Sequence, residues 1–569
     1  MRQKTNEKTE LFKDAGAFFK SHVSSIIVYL IWFIAVLTIA FFDVATSNTV
    51  LSFSLKDYEV GQISDKTVIA EKTVYSDSIY PFEIKKDEVI IKKGFPISEE
   101  AFLKLEKLAE TPEYIDTRAF ANAILYFMLL TALITFLFTK GFLNKPLRIS
   151  ELIFYSVVFV LVYGMTTIGK RLPTFSTDFS LVIFIPATFV VMLIAILYGQ
   201  REAVYFSFIL FFAIFHATDY SPIPAIFELC SSLAVIRVVR KMDKRLDMFF
   251  AAVVIAILNV VFLLTIKIFT NSQVDGFIFD LLGVAFNGFI SCILALGFLT
   301  PLESLLNTAS VFRLMDLSDL NRPIMRRLSL VASGTYNHSM MVANLAESAC
   351  SEIGANPLLA RVGAYYHDIG KADQPEYFVE NQSGENKHDD INPSLSVSVI
   401  RSHVKKGVEK AHSLKLPSEV IDIIAQHHGN SVISYFYNLA KKQDETVSET
   451  EYSYTGEPPT TKEAAVVMLA DTVEAACRTL EKPSVSRLEK FIHELVMSKF
   501  EHGQLENSNL TFREISIIES SFVTTLAGHY HSRIKYPEQK DPENVSEVDN
   551  SDKVLSEKTI IKQKNDAQL

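Results

Sequence analysis

The strongest constraint on this chain is the placement of its apolar residues. Eight long apolar runs stand before residue 300, at 24–42, 119–139, 152–168, 181–198, 203–217, 222–238, 249–268 and 278–300. A bilayer core of about 30 Å takes about 20 helical residues to cross. A helix satisfies its own backbone polar groups in lipid, where water is absent. The runs therefore predict eight transmembrane helices in an all-α membrane protein. The third, fifth and sixth runs are short, and 203–217 with 222–238 has an alternative reading as one re-entrant hairpin. Composition agrees, with 49% hydrophobic residues, 21% charged residues, and 43 Phe against one Trp.

Loop charge sets the orientation, because cytoplasmic loops near a membrane are rich in Lys and Arg. Arg2, Lys4, Lys8, Lys13 and Lys20 precede the first run, and Lys140, Lys145 and Arg148 follow the second. Arg201 follows the fourth, and Arg240, Lys241, Lys244 and Arg245 follow the sixth. The alternate short loops hold only Lys170 and Arg171. Eight crossings then put 1–23 and 301–569 in the cytoplasm and 43–118 outside. The first run, 24–42, exceeds the apolar core of about 7–15 residues typical of a cleaved signal peptide and reads as a retained anchor.

Residues 43–118 read as a small α+β extracytoplasmic domain facing an external signal. Thr67-Val68-Ile69-Ala70 and Glu88-Val89-Ile90-Ile91 alternate as strands do, and a helix from about Ser98 aligns Phe102, Leu105 and Leu108. The domain boundaries expected are 24–42 anchor, 119–300 seven-helix membrane domain, 301–536 all-α cytoplasmic domain and 537–569 disordered tail. A polar loop is expected at 443–463, around Gly456, Pro458 and Pro459. Cys230, Cys292, Cys350 and Cys477 are too scattered for a disulfide scaffold or a CxxC metal site. A net charge of −10 argues against a polymeric nucleic acid as partner.

Ionisable groups in lipid are functional candidates. The polar residues within the spans include Glu228, His216, Lys267 and Asn287. Glu228 and His216 lie near run ends, where snorkelling accounts for them. With no charged pair evident in the spans, a transporter is disfavoured.

Of 13 His, eleven follow residue 337. His338, His367, His403, His427 and His428 stand with Asp368 and Asp471 in apolar or helical surroundings. Asp471 lies inside Ala464-Ala465-Val466-Val467-Met468-Leu469-Ala470-Asp471, where an unpaired carboxylate costs several kcal/mol. A cation resolves that cost. Imidazole and carboxylate suit Mn, Fe, Zn, Co or Ni. Seven ligands exceed one ion's needs. If Asp368 bridges, one ion takes His338, His367, Asp368 and Asp471, and the other takes Asp368, His403, His427 and His428. Two such ions generate hydroxide and clamp the oxygens of an in-line displacement at phosphorus. Lys371, one turn beyond Asp368, is placed to hold a phosphate, with a solvated surface lysine as the alternative.

The text around His367-Asp368 is more specific than the pair. Gly334-Thr335-Tyr336-Asn337-His338-Ser339, Leu358 to Lys371, Phe378-Val379-Glu380-Asn381-Gln382, His427-His428-Gly429 and Met468-Leu469-Ala470-Asp471 together resemble the bacterial seven-transmembrane HD-domain receptor family, within the HD-domain metal-dependent phosphohydrolases. The resemblance runs from residue 20 to about 535. It implies a multi-pass protein of the bacterial cytoplasmic membrane whose HD domain opens cyclic di-AMP to pApA with two Mn or Fe ions and a bridging hydroxide, Asp368 and Lys371 being catalytic. Two departures stand out. The extracytoplasmic domain is shorter than the family usually carries, and Asn337 stands where His is frequent, which places Asn337 outside the ligands. His428 is followed by Gly429-Asn430-Ser431 and not by Gly-Tyr-Pro, which disfavours cyclic di-GMP. Alternative readings are a hydrolase of an alarmone or nucleoside monophosphate, and a non-catalytic nucleotide-sensing receptor.

Overall fold

The computed structural model describes residues 2–531, apart from 47–48, 51–52, 56–57, 65–66, 71–72, 77, 111–116, 139–146, 176, 241, 243, 272–275, 383, 385 and 481–482. The tail expected at 537–569 and the loop cations Lys140, Lys145 and Lys241 lie outside the described residues. The chain divides into two compact units, Met1–Asp316 and Leu317–Leu569.

Among the described residues of the first unit six helices are long and apolar enough to cross a membrane: His22–Val44, Ala119–Leu137, Ile149–Gly169, Pro222–Val239, Asp247–Phe269 and Phe277–Leu306. The expectation of eight is met for these six only. The fourth run breaks. A short helix, Asp178–Leu181, is followed by a turn, and helix Ala187–Leu197 starts after Pro186. Its 11 residues rise about 16 Å, half a bilayer core. The break frees backbone carbonyls, and Asn287 Nδ2 donates to Ile183 O at 2.8 Å and Ile185 O at 3.1 Å. Ala187–Leu197 is buried on nearly every face, as befits a helix apolar all round. The fifth run is helix Gln200–Ala217, whose polar ends, Gln200-Arg201-Glu202 and His216, shorten its apolar middle. Thus the shortfall falls on the fourth and fifth runs, while Pro222–Val239 is long enough to span.

Two expectations about the spans are corrected. Glu228 does not snorkel. It is 1% exposed, with Thr188 Oγ1 at 3.4 Å, and Thr188, Ser231 and Asn259 continue a buried hydrogen-bonded chain. A buried charged pair does exist: Lys267 Nζ lies 2.7 Å from Asp280 Oδ2. Spacing along one helix could not reveal it, because the partners sit on different helices. His216 Nδ1 lies 3.2 Å from the Tyr163 hydroxyl.

The small α+β part pairs Val68–Ile69 antiparallel with Val89–Ile91, joining Val68 to Ile91 and Ile69 to Val89. A second pair is Thr49–Val50 with Phe53–Ser54. Ser98 Oγ accepts from Ala101 N at 3.1 Å and caps helix Glu99–Glu110. Leu105 and Leu108 are fully buried, against Val68, Ile84 and Ile91.

The second unit is helical. Its helices begin where the sequence supplies caps. Asn356 accepts from Leu359 N ahead of Pro357–Tyr366, Asn392 from Leu395 N ahead of Pro393–Ser413, and Thr461 from Ala464 N ahead of Lys462–Cys477. Helix Lys462–Cys477 is buried from Ala464 to Asp471 and forms the spine against which helices Ser333–Glu352, Pro357–Tyr366 and Ser418–Gln426 pack. The 443–463 segment is more ordered than the loop expected there. It holds a 3-10 turn, Glu449–Tyr452, and pairs Val432 with Ser453.

Candidate metal centre

The site is built from helix ends. His367 caps the C-terminus of Pro357–Tyr366, and His427 that of Ser418–Gln426. Carbonyls in a last helical turn lack intrahelical partners. His367 Nδ1 donates to Ala364 O at 2.7 Å and His427 Nδ1 to Ile424 O at 2.8 Å. His403, within Pro393–Ser413, does the same to Ile400 O at 2.5 Å. Each contact fixes the proton on Nδ1 and leaves Nε2 as a free donor atom for a metal. Gly429, at φ +54°, supplies the left-handed turn after His427-His428.

All seven side chains singled out in the sequence come together. His338 Nε2 lies 3.0 Å from Asp471 Oδ1 and 3.8 Å from Asp368 Oδ2. His367 Nε2 is 3.2 Å from Asp368 Oδ2. On the other side, His403 Nε2 is 3.3 Å and His427 Nε2 3.8 Å from Asp368 Oδ1. His428 Nδ1 is 3.5 Å from Asp471 Oδ2. Two groups with metal-ligand spacing, His338–His367–Asp471 and His403–His427–His428, thus flank Asp368, one facing each of its carboxylate oxygens.

The donors fit divalent ions. His367 Nε2 and both Asp368 oxygens are buried without a hydrogen-bond partner, an arrangement that is costly unless a cation supplies the missing interaction. Lys371 Nζ lies 2.7 Å from Asp368 Oδ2, at ion-pairing distance but out of hydrogen-bond alignment. Burial lowers His403 to about 4 and His427 to about 3, keeping both imidazoles neutral as a ligand must be. Burial alone would lower His338 too, but the Asp471 and Glu474 carboxylates outweigh it and hold it up at about 10. An ion there would take the place of that proton.

Lys371 is no solvated surface lysine. It sits in the 3-10 turn Ile369–Asp373, is almost buried, and is shared between Asp368 and Glu380 Oε1 at 3.0 Å. The two carboxylates overcome burial and raise its pKa. Gly370 lets this turn pack on helix Pro393–Ser413, since a Cβ there would lie 1.8 Å from His403 O.

The sequence reading missed several supporting groups. Glu474 Oε2 accepts from His338 Nδ1 at 2.5 Å and also pairs with Arg478. Its position three residues after Asp471, on the same helical face, was the available signal. Glu380 lies in a motif already singled out, but its pairing with Lys371 and with Thr335 Oγ1 at 3.0 Å needed coordinates. Tyr454, in the 443–463 segment, stacks on His428 at 4.2 Å between ring centroids. Asn337 is exposed, outside the ligand cluster.

Comparison with known proteins places these features in one family. The model described as HD domain matches residues 335–476, and that of a 7TM receptor with intracellular HD hydrolase matches 119–310. The chain is 32% identical over 483 residues to the Bacillus subtilis (strain 168) protein named cyclic-di-AMP phosphodiesterase PgpH, covering 83% of this chain and 68% of that one. The Listeria monocytogenes protein of the same name is 32% identical over 505 residues, covering 87% and 69%. The crystal structure of the L. monocytogenes PgpH HD domain in complex with cyclic-di-AMP is 43% identical, covers 37% of this chain and 100% of that chain, and has a TM-score of 0.37. The chain belongs to the family of seven-transmembrane receptors with an intracellular HD hydrolase that includes these PgpH proteins.

Proposed function

We propose that this chain is a membrane-bound, metal-dependent phosphodiesterase that hydrolyses cyclic di-AMP to pApA on its HD domain. The observation that carries the chemistry is Asp368, fully buried, with each oxygen turned to a different histidine group and neither hydrogen-bonded. The substrate follows from the name of the two PgpH relatives, which the chain matches over more than four fifths of its length. The lack of Gly-Tyr-Pro after His427-His428 accords with it.

His338, His367, Asp368 and Asp471 would hold one divalent ion, and Asp368, His403, His427 and His428 the other; this donor set suits Mn, Fe, Zn, Co or Ni, and the family resemblance favours Mn or Fe. Such a pair supplies a hydroxide nucleophile at neutral pH and offsets negative charge on the phosphoryl oxygens. The chain's own groups prepare the site. Glu474 orients His338, and the three main-chain carbonyls orient His367, His403 and His427. Lys371 steadies Asp368 and adds positive charge where a phosphate docks.

The HD domain lies on the cytoplasmic side in this reading. The two elements that fall short of spanning, Ala187–Leu197 and Gln200–Ala217, are consecutive. Whether neither or both cross, every other loop except the one holding Arg201 keeps its side, and the loop charges keep their alternation. The domain boundaries proposed remain 1–23, 24–42, 43–118, 119–300, 301–536 and 537–569.

The test uses the full chain in detergent, loaded with Mn²⁺ or Fe²⁺ and offered cyclic di-AMP, cyclic di-GMP and ppGpp separately. Cyclic di-AMP is expected to be consumed fastest, with pApA as product. Faster turnover of cyclic di-GMP or ppGpp under matched metal loading refutes the substrate assignment.

A further inference from the structure

Among the described residues, the rim of the metal centre carries a cation with no carboxylate at ion-pairing distance. The most open ligand is His428, whose side chain is 21% exposed against 10% or less for His338, His367, Asp368, His403, His427 and Asp471. Substrate therefore enters on the His428 side. There the Tyr454 ring covers one face of His428, and Tyr454 N donates to Ser431 O at 2.9 Å. Ser431 N in turn donates to His428 O at 3.1 Å, so Ser431 lies within one turn of the ligand.

Lys499, from helix Val485–Glu501, reaches into this rim and donates to Ser431 Oγ at 2.8 Å. Among the described residues no carboxylate lies at ion-pairing distance from it, the Asp471 carboxylate acting only from farther away. Burial lowers its pKa from the usual lysine value. The Ser431 hydroxyl accepts from Lys499, and its own proton goes to no described group. A half-buried ammonium beside a centre that would itself hold divalent cations is electrostatically unfavourable unless an anion comes between them. A phosphate bound by an ammonium and a hydroxyl donor is the charge-assisted arrangement that answers this.

We propose that Lys499 and the Ser431 hydroxyl form a subsite for the second phosphate of a cyclic dinucleotide whose first phosphate lies on the metal centre. The inference rests on the functional reading above and deepens it. It makes the rim a device for selecting substrates with two phosphates over simple diesters.

The experiment compares two substrates on the full Mn²⁺-loaded chain in detergent: cyclic di-AMP, and bis(4-nitrophenyl) phosphate, a diester with one phosphate. Lys499→Met is expected to lower kcat/KM for cyclic di-AMP about tenfold more than for the one-phosphate diester, chiefly through KM, a difference of about 1.4 kcal/mol. Lys499→Arg should recover most of that selectivity. Equal losses on both substrates overturn the proposal. If Lys499→Met fails to hold metal, Ser431→Ala takes its place, with the same bias toward loss on cyclic di-AMP expected and an unbiased loss refuting it. A wild-type chain that cleaves the one-phosphate diester and leaves cyclic di-AMP intact overturns the functional reading itself, which separates the two failures.

Discussion

His367, His403 and His427 each commit Nδ1 to the carbonyl three residues back, so their rings are aimed before any ion arrives. His338 lacks that anchor and relies on Glu474. Removing a carboxylate that orients a ligating imidazole costs about 10–100-fold in metal affinity or activity. Glu474→Ala should therefore weaken metal binding by about that factor while His338 stays in place, as metal titration of the purified chain would show. Undiminished affinity would refute the orienting role. Glu380 makes a different prediction. Burial raises its carboxyl, but Lys371 outweighs it and holds it below the usual range. Its contribution to stability is then present above the ordinary glutamate value of about 4.3 and is lost as pH falls through the lower folded value. Glu380→Gln should flatten the fall in Tm over that acid range, measured by thermal unfolding at stepped pH, and an unchanged profile would contradict it. These residues were unevenly legible. The histidines and Asp471 stood out because few side chains bind metal and a charge directly after the apolar run Ala464–Ala470 is costly. Glu474 sits on a helix that also carries Arg478, where a carboxylate reads as one of a surface pair. Lys499 lies on an amphipathic helix whose charges look solvated, and only the fold brings it to Ser431.

At the scale of elements, the centre depends on how closely two segments approach. The turn Ile369–Asp373 meets helix Pro393–Ser413 through Gly370, where an added Cβ would strike the His403 carbonyl. Overpacking of this kind costs about 1–3 kcal/mol. Gly370→Ala should lower the Tm of the second unit and reduce metal loading together, because the displaced carbonyl belongs to a ligand. A stable, fully loaded variant would contradict the packing described. The same scale explains what the apolar pattern concealed. Counting apolar residues over 181–198 gives one continuous run, but Pro186 interrupts the backbone and Asn287, on Phe277–Leu306, satisfies the carbonyls that the break exposes. A run of hydrophobic residues records what can be buried in lipid and leaves open whether the helix within it is continuous. The strand pair and helix of the small α+β part were legible because period-2 and period-3.6 patterns are local.

At the scale of the whole molecule, the proposed topology, argued from the loop cations, puts 1–23 and 301–569 on one side of the membrane and 43–118 on the other. Reporter fusions after residues 80 and 310 should report opposite sides. The same side for both would refute an even number of crossings between the N-terminus and the HD domain. The central claim is that one carboxylate joins two ions in a single catalytic centre, and metal content per chain tests it most directly. Elemental analysis of the purified full chain should give two ions for wild type, close to one for His403→Ala, and fewer than one for Asp368→Ala, because Asp368 faces both histidine groups. A wild-type chain that binds one ion, or an Asp368→Ala chain that keeps two, would contradict the dinuclear account.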